Sequence, residues 1–147
     1  MTGRDYPSRP FCGVGVVCFK GDNILLIKRS KPPINWEWSI PGGGQELGET
    51  IREGALRELK EETAVEARII GLIDVVDTIR RDKVGRIQFH YTLCDFAAEW
   101  ISGDIKAGDD ASDARWVGLS EIEDFDLWEE TVRVIRQGQI LRERTGH

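Results

Sequence analysis

Apolar residues along this chain bunch into short runs divided by polar, glycine-bearing intervals, and the runs carry two different periods. Cys12-Gly13-Val14-Gly15-Val16-Val17-Cys18-Phe19 and Ile24-Leu25-Leu26-Ile27-Lys28-Arg29 read as strands, with Lys20-Gly21-Asp22-Asn23 as the hairpin turn between them. A loop carrying Pro32 and Pro33 follows, then a short strand at Trp38-Ser39-Ile40 and a glycine turn, Pro41-Gly42-Gly43-Gly44. From Ile51 the period changes to that of a helix, with Ile51, Ala55, Leu56 and Leu59 on the face expected to be buried. Val65 to Val76 and Ile87 to Phe96 read as strands around a polar turn at Arg80 to Arg86, and Ser102 to Ser112 reads as a loop. Arg115-Trp116-Val117 is expected to be a last strand. Ser120-Glu121-Ile122-Glu123 has the form of a capping box, and Leu127 to about Leu141 repeats as an amphipathic helix. Strands outnumber helices, one helix falls mid-chain and one at the end, so the pattern predicts an α+β fold with a mixed sheet between helices.

The mid-chain helix carries the chemistry. Thr50-Ile51-Arg52-Glu53 forms a capping box at its start. Glu58, Glu61 and Glu62 stand at i, i+3 and i+4, neighbours about 5–6 Å apart at Cβ. Glu53, Arg57 and Glu61 have the spacing of an ordinary ion-pair ladder, yet neither Glu58 nor Glu62 finds a cation along the helix. Each like-charge pair costs about 0.2–0.5 kcal/mol, and carboxylates near a helix C-terminus also oppose its dipole. A bound dication reverses that penalty. Oxygen donors without histidine or cysteine point to a hard ion, Mg²⁺ or Mn²⁺. The glycines before the helix are expected to admit an anion close to backbone N–H groups, through their tolerance of positive φ.

Gly43, then Glu49, then Arg57-Glu58-Leu59-Lys60-Glu61-Glu62-Thr63-Ala64-Val65 resembles the Nudix box of the MutT-type hydrolases. The departure is Ala64, where that family usually has glycine; a left-handed closing residue there costs a non-glycine side chain about 1–2 kcal/mol. The resemblance extends more loosely from Arg9 to about Gln137, and it implies the Nudix αβα sandwich as one domain over residues 1–147, with 1–9 a flexible N-terminal segment. It further implies Glu58, Glu61 and Glu62 as metal ligands, Glu61 as ligand or general base, and a supporting ion pair between Glu49 and Arg57. Family members often recruit another acid from a later loop, for which Glu99, Asp109 and Asp110 stand open. An isologous homodimer is a further family-based expectation.

A diphosphate at such a site would have its non-bridging oxygens neutralised by the metal and its anhydride split by a metal-oriented water. Gly42, Gly43, Gly44, Arg29 and Trp36 are the expected substrate contacts. Trp36, Trp38, Phe89, Tyr91 and Trp100 are candidates for a base-stacking surface, and Arg29, Arg80, Arg81 and Arg86 for phosphate or ribose. The run of residues looks most like the small ADP-ribose pyrophosphatase branch, which implies ADP-ribose split to AMP and ribose 5-phosphate. Some ADP-ribose-specific members carry a proline downstream of the box, and residues 66–99 contain none, so a nucleoside triphosphate, including an oxidised one, is the alternative substrate. A non-catalytic nucleotide sensor is the alternative of another class, disfavoured by the intact glutamates.

Composition narrows the partners. At 147 residues the chain suits one core, and a net charge of −6 disfavours a nucleic-acid polymer, whose binding rests on neutralising many phosphates. No apolar leader or membrane-length run is present, and the cytoplasm is the expected compartment. Cys12, Cys18 and Cys94 lack CxxC spacing and are expected to be reduced, mostly buried thiols. His90, in an alternating strand without a histidine partner, is expected to pack or to line a pocket.

Overall fold

In the computed structural model, which describes residues 5–29 and 36–146, β1 (Phe11–Lys20) is the spine of the sheet. It turns at Gly21 (φ 60°) into antiparallel β2 (Asn23–Arg29), as the hairpin reading expects. On its other edge β1 runs parallel to β6 (Ile87–Ser102), in register from Phe11 opposite Tyr91 to Phe19 opposite Glu99. β6 in turn is antiparallel to β5 (Glu66–Arg81), while β2 pairs with β3 (Trp38–Ser39) and with β7 (Ala111–Gly118). The sheet is therefore mixed. β5 and β6 are 16 residues each, longer than the apolar runs suggested, because their outer halves continue as a ribbon whose polar turn is only Asp82 to Gly85. The proline loop falls among residues 30–35, outside the described residues.

Alternation along β1 divides the core between the two faces. Val14, Val16 and Cys18 pack with Leu25, Ile27, Phe96 and Ala98 under α1 (Ile51–Thr63), through Ala55 and Leu59. Val17 and Phe19 pack with Ile24, Leu26 and Ala97 under α2 (Glu129–Arg144), through Val134 and Ile135. Helices on both faces of a mixed sheet give the αβα layering. Ile51 and Leu56 are only half-buried, so the enclosed stripe of α1 is Gly54, Ala55, Leu59, Glu62 and Thr63, rotated from the expected one and including an acid.

Three local expectations change. The glycine turn is a strand: β4 (Gly42–Gly44) pairs antiparallel with Gly13-Val14-Gly15 of β1. None of its glycines has positive φ; what the site exploits is the missing Cβ, since one on Gly42 would lie 2.2 Å from the Val14 carbonyl. The second capping box does not form. Ile122–Asp124 is a single 3₁₀ turn whose preceding residue, Glu121, makes no side-chain cap, and α2 begins at Glu129, two residues after Leu127. The apolar residues between, Phe125 and Leu127, cap the core instead of continuing a helix. Finally, the N-terminal segment is held where it is described, since Tyr6 donates its backbone N–H to Gln88 O and its hydroxyl to Asp82 (3.0 Å). Among the described residues no helix is long and apolar enough to cross a membrane.

Candidate functional site

Thr50 caps α1 as its sequence predicts: Thr50 Oγ1 accepts from Glu53 N, and Glu53 Oε1 accepts from Thr50 N. Glu53 is thereby taken out of the ion-pair ladder, leaving Arg57 with Glu61 (2.9 Å). Arg57 does far more than close a ladder. Its Nε and Nη2 donate to both oxygens of Glu49 (2.9 and 2.8 Å), Nη2 to the Gly44 carbonyl, and Nη1 to Glu58 (3.1 Å). One guanidinium thus ties the loop, the glycine strand and the helix together. Gly54 makes this closure possible, because a Cβ there would stand 2.8 Å from Glu49 Oε1. The hydrogen bonds from Arg57 hold Glu49 below the usual carboxylate range, and Glu49 raises Arg57.

Glu58 and Glu62 press on the glycine strand from α1. The Glu58 carboxylate fills the space where Gly43 has no side chain, and a Cβ would come within 1.8 Å of its Oε2. Glu62, 3% exposed, accepts from Gly42 N (2.8 Å) and from Arg29 Nη1 (2.7 Å). Arg29 also reaches the carbonyls of Ile40 and Gly42. The cations absent from the helix sequence therefore come partly from elsewhere: Arg29 of β2 lies 33 positions from its partner, and Arg57 reaches Glu58 from the adjacent position. Burial, then the charge of Glu62, push Glu58 up to about 7, with Arg57 opposing. Burial also raises Glu62, against the pull of Arg29 and Gly42 N–H, and Asp110 adds to the rise.

A cavity of about 940 Å³ begins at this cluster and continues along the sheet. Glu58, Gly42, Gly43, Gly44, Arg29 and Asp110 line one end. Trp36, Trp38, Phe89 and Tyr91 line the remainder, together with Trp128 of the segment entering α2, which the sequence reading did not single out. Other candidates are placed elsewhere. Trp100 stacks under Lys20 (4.1 Å), Glu99 accepts from Arg142 Nε and Nη2 (2.8 and 2.9 Å), and neither lines the cavity. Arg81 binds the Gly85 carbonyl and Arg86 binds Asp82, both at the far end of the β5–β6 ribbon. His90 is half-buried and outside the cavity, whose strand neighbours Phe89 and Tyr91 face it. Of the later-loop acids, Asp110 alone lines the cavity; Asp109 is exposed at φ 51°. Cys12, Cys18 and Cys94 are free thiols, with burial pushing Cys18 up to about 12.

The expected metal triad is not drawn together. Among the described residues no three His, Cys, Asp or Glu side chains form a group able to hold an ion, since Glu61 is turned to Arg57 and Glu62 to Arg29. The donor chemistry nonetheless fits a hard dication. The charge of Glu62 raises the proton affinity of Glu58, the two carboxylates lie against neighbouring glycines of the strand, and the acids supply only oxygen donors. Glu58 and Glu62 would hold such an ion, and its charge would offset their repulsion as Arg57 and Arg29 do here.

This fold and this placement of acids define a class, and comparison with known proteins agrees. The family model described as NUDIX domain matches residues 10–138, and the chain belongs to that family. The ADP-ribose pyrophosphatase of Methanocaldococcus jannaschii is 36% identical over 113 residues, covering 77% of this chain and 64% of that protein, so the chain spans just under two thirds of its relative. The crystal structure of a MutT NUDIX hydrolase from Burkholderia pseudomallei superposes with a TM-score of 0.71 at 26% identity, covering 88% of this chain and 98% of that one. A bifunctional NMN adenylyltransferase/ADP ribose pyrophosphatase from Francisella tularensis, complexed with AMP and Mn ion, superposes at 0.63 with 29% identity, over 94% of this chain and 42% of that one.

Proposed function

We propose that the chain hydrolyses the phosphoanhydride of a nucleoside diphosphate linked to a second moiety, with ADP-ribose converted to AMP and ribose 5-phosphate. The observation that carries this reading is a cavity that joins Glu58, packed over a side-chain-free strand, to an aromatic-lined recess. The likeness to the archaeal ADP-ribose pyrophosphatase supports the choice of substrate. Glu58 and Glu62 would hold Mg²⁺ or Mn²⁺, which when bound polarises a phosphoryl oxygen and acidifies a water. The protein's own groups do the rest. Arg57 fixes Glu58 against Gly43 and locks the loop through Glu49; Gly42 to Gly44 let a diphosphate approach the backbone; Trp36, Phe89 and Tyr91 exclude water around the nucleoside. Asp110, which lines the cavity with Glu58, would take the proton of the attacking water, and Glu61 is the second candidate for that role. Water adds across the P–O–P bridge, its hydroxyl to one phosphorus, and the leaving phosphate carries away the bridging oxygen.

The test is a panel of ADP-ribose, other nucleoside diphosphate derivatives and nucleoside triphosphates, with Mg²⁺ or Mn²⁺, read by product identity against Glu62→Gln. AMP release from ADP-ribose by wild type and not by the variant is the expected result. Triphosphates turned over in preference would move the reading to a pyrophosphohydrolase, and tight binding without turnover to a sensor.

A further inference from the structure

Asp95 of β6 is 6% exposed and lines the cavity, and none of the hydrogen bonds or ion pairs among the described residues ends on its carboxylate. The neighbouring cation is committed elsewhere: Arg133 of α2 pairs with Asp74 (3.0 Å) and Glu130 (2.9 Å). The carboxylate is enclosed by the protein except where it meets the cavity, so a donor for it can come only from what fills that cavity. Thr78 Oγ1 is a buried, unpartnered polar atom on a residue lining the same cavity.

The position of the carboxylate identifies what it meets. Asp95 stands opposite Gly15 in the β1–β6 register, and its Oδ1 lies 2.2 Å from where a Gly15 Cβ would be, so the side chain lies across the glycine. Gly15 is itself opposite Gly42 of β4, one strand spacing of about 4.7–4.9 Å further on. Asp95 and Glu58 are on opposite faces of the sheet: Gly15 shares its face with the Val17 core under α2, whereas Glu58 lies over Gly43, opposite Val14 of the core under α1. The cavity nevertheless takes in both acids, because the glycine strand between them has no side chains. Tyr91, the nearer of the two cavity-lining aromatic residues on β6, is four residues from Asp95, or about 13 Å along the strand. A ligand with its phosphates at Glu58 and its base among the aromatics would fill the cavity that Asp95 lines.

We propose that Asp95 accepts hydrogen bonds from the vicinal hydroxyls of the sugar bonded to the substrate's diphosphate, and so selects ribose over deoxyribose. The inference rests on the preceding reading of the cavity as a nucleoside diphosphate site. A carboxylate accepting from two adjacent hydroxyls replaces the solvation it loses in the fold, whereas a deoxy sugar leaves it uncompensated. Discrimination of about ten- to hundredfold follows from losing a charged hydrogen bond.

The experiment is equilibrium titration of the whole chain, followed by tryptophan fluorescence, with AMP against 2′,3′-dideoxy-AMP and ribose 5-phosphate against 2-deoxyribose 5-phosphate. Wild type is expected to prefer the hydroxylated member of at least one pair by about ten- to hundredfold, and the pair that responds identifies which sugar is read. In Asp95→Asn the preference shrinks, and in Asp95→Ala it falls to about twofold or less, with no loss of thermal stability in the asparagine variant. Equal binding of both members by wild type, binding of none of the four, or a preference surviving in Asp95→Ala overturns the proposal. A further titration with purine riboside 5′-monophosphate, which lacks the exocyclic amine, tests the base: if Asp95→Ala removes that discrimination and leaves the sugar preference, the carboxylate reads the base and the proposal is wrong. AMP release from ADP-ribose is measured separately, so absent turnover defeats the hydrolase reading while the titrations still decide the role of Asp95.

Discussion

Glu62 on α1 and Asp95 on β6 are both almost fully enclosed acids, 3% and 6% exposed, one on each side of the glycine strand. Glu62 is satisfied within the chain by Gly42 N–H and the Arg29 guanidinium, while Asp95 has neither kind of donor. The face toward α1 is an assembled electrostatic frame in which arginines hold carboxylates at set positions. The face toward α2 is an apolar recess with isolated polar atoms. The first arrangement orients groups before a ligand arrives, and the second leaves its polar groups for the ligand to complete.

The strongest way to break this contrast is at the frame. Glu62→Gln keeps the shape but removes the charge that holds Arg29 and, on the present reading, the ion. AMP formation from ADP-ribose is expected to fall at least about 10²-fold at saturating Mg²⁺, with the fold retained by circular dichroism. An unchanged rate would remove Glu62 from the site.

Gly43→Ala comes next. Its methyl group would enter the space held by the Glu58 carboxylate, so Glu58 must swing off the strand. A drop in kcat of about tenfold or more is expected, with a smaller change in KM and a modest fall in Tm. A variant as active as wild type would mean that Glu58 does not need its place over Gly43.

The recess is sharpened by pH. Burial, then the charge of Asp74, push Asp95 up from 3.8 to about 6, with Arg133 opposing. Between those values the folded chain binds a proton that the unfolded chain has released, so this group's contribution to stability declines as pH rises from about 4 to about 6 and is level above. Asp95→Asn is therefore expected to melt at nearly the wild-type temperature at pH 4 and several degrees higher at pH 8, which calorimetry across that range would check. A variant that melts lower than wild type at pH 8 would show that the carboxylate is satisfied inside the protein.

The smallest effect concerns Ala64, which closes α1 at φ 64°, in the left-handed region. Ala64→Gly is expected to raise stability by about 1 kcal/mol in denaturant melts and to leave ADP-ribose turnover unchanged, because Ala64 lines no part of the cavity.

Local patterns in the chain already contained a good deal of this. The start of α1 was legible because a capping box is made by residues three apart, and the Glu49–Arg57 pair was legible through the family motif. The hairpin at Gly21 and the alternation of β1 were equally local. Three features were not. The glycines read as a turn because strand pairing with Gly13 to Gly15 depends on a partner almost 30 positions away. The bond from Arg29 to Glu62 was hidden because it spans 33 positions. Asp95 carried no signal, since an acid in an alternating strand looks like a solvent-facing residue until helix α2 covers it. Short-range spacing thus determined the elements, the acidic helix and the family of the chain; the closing of sheet and helices around one cavity decided which charges are paired and which are left for a ligand, because desolvation and long-range pairing exist only once the chain has folded.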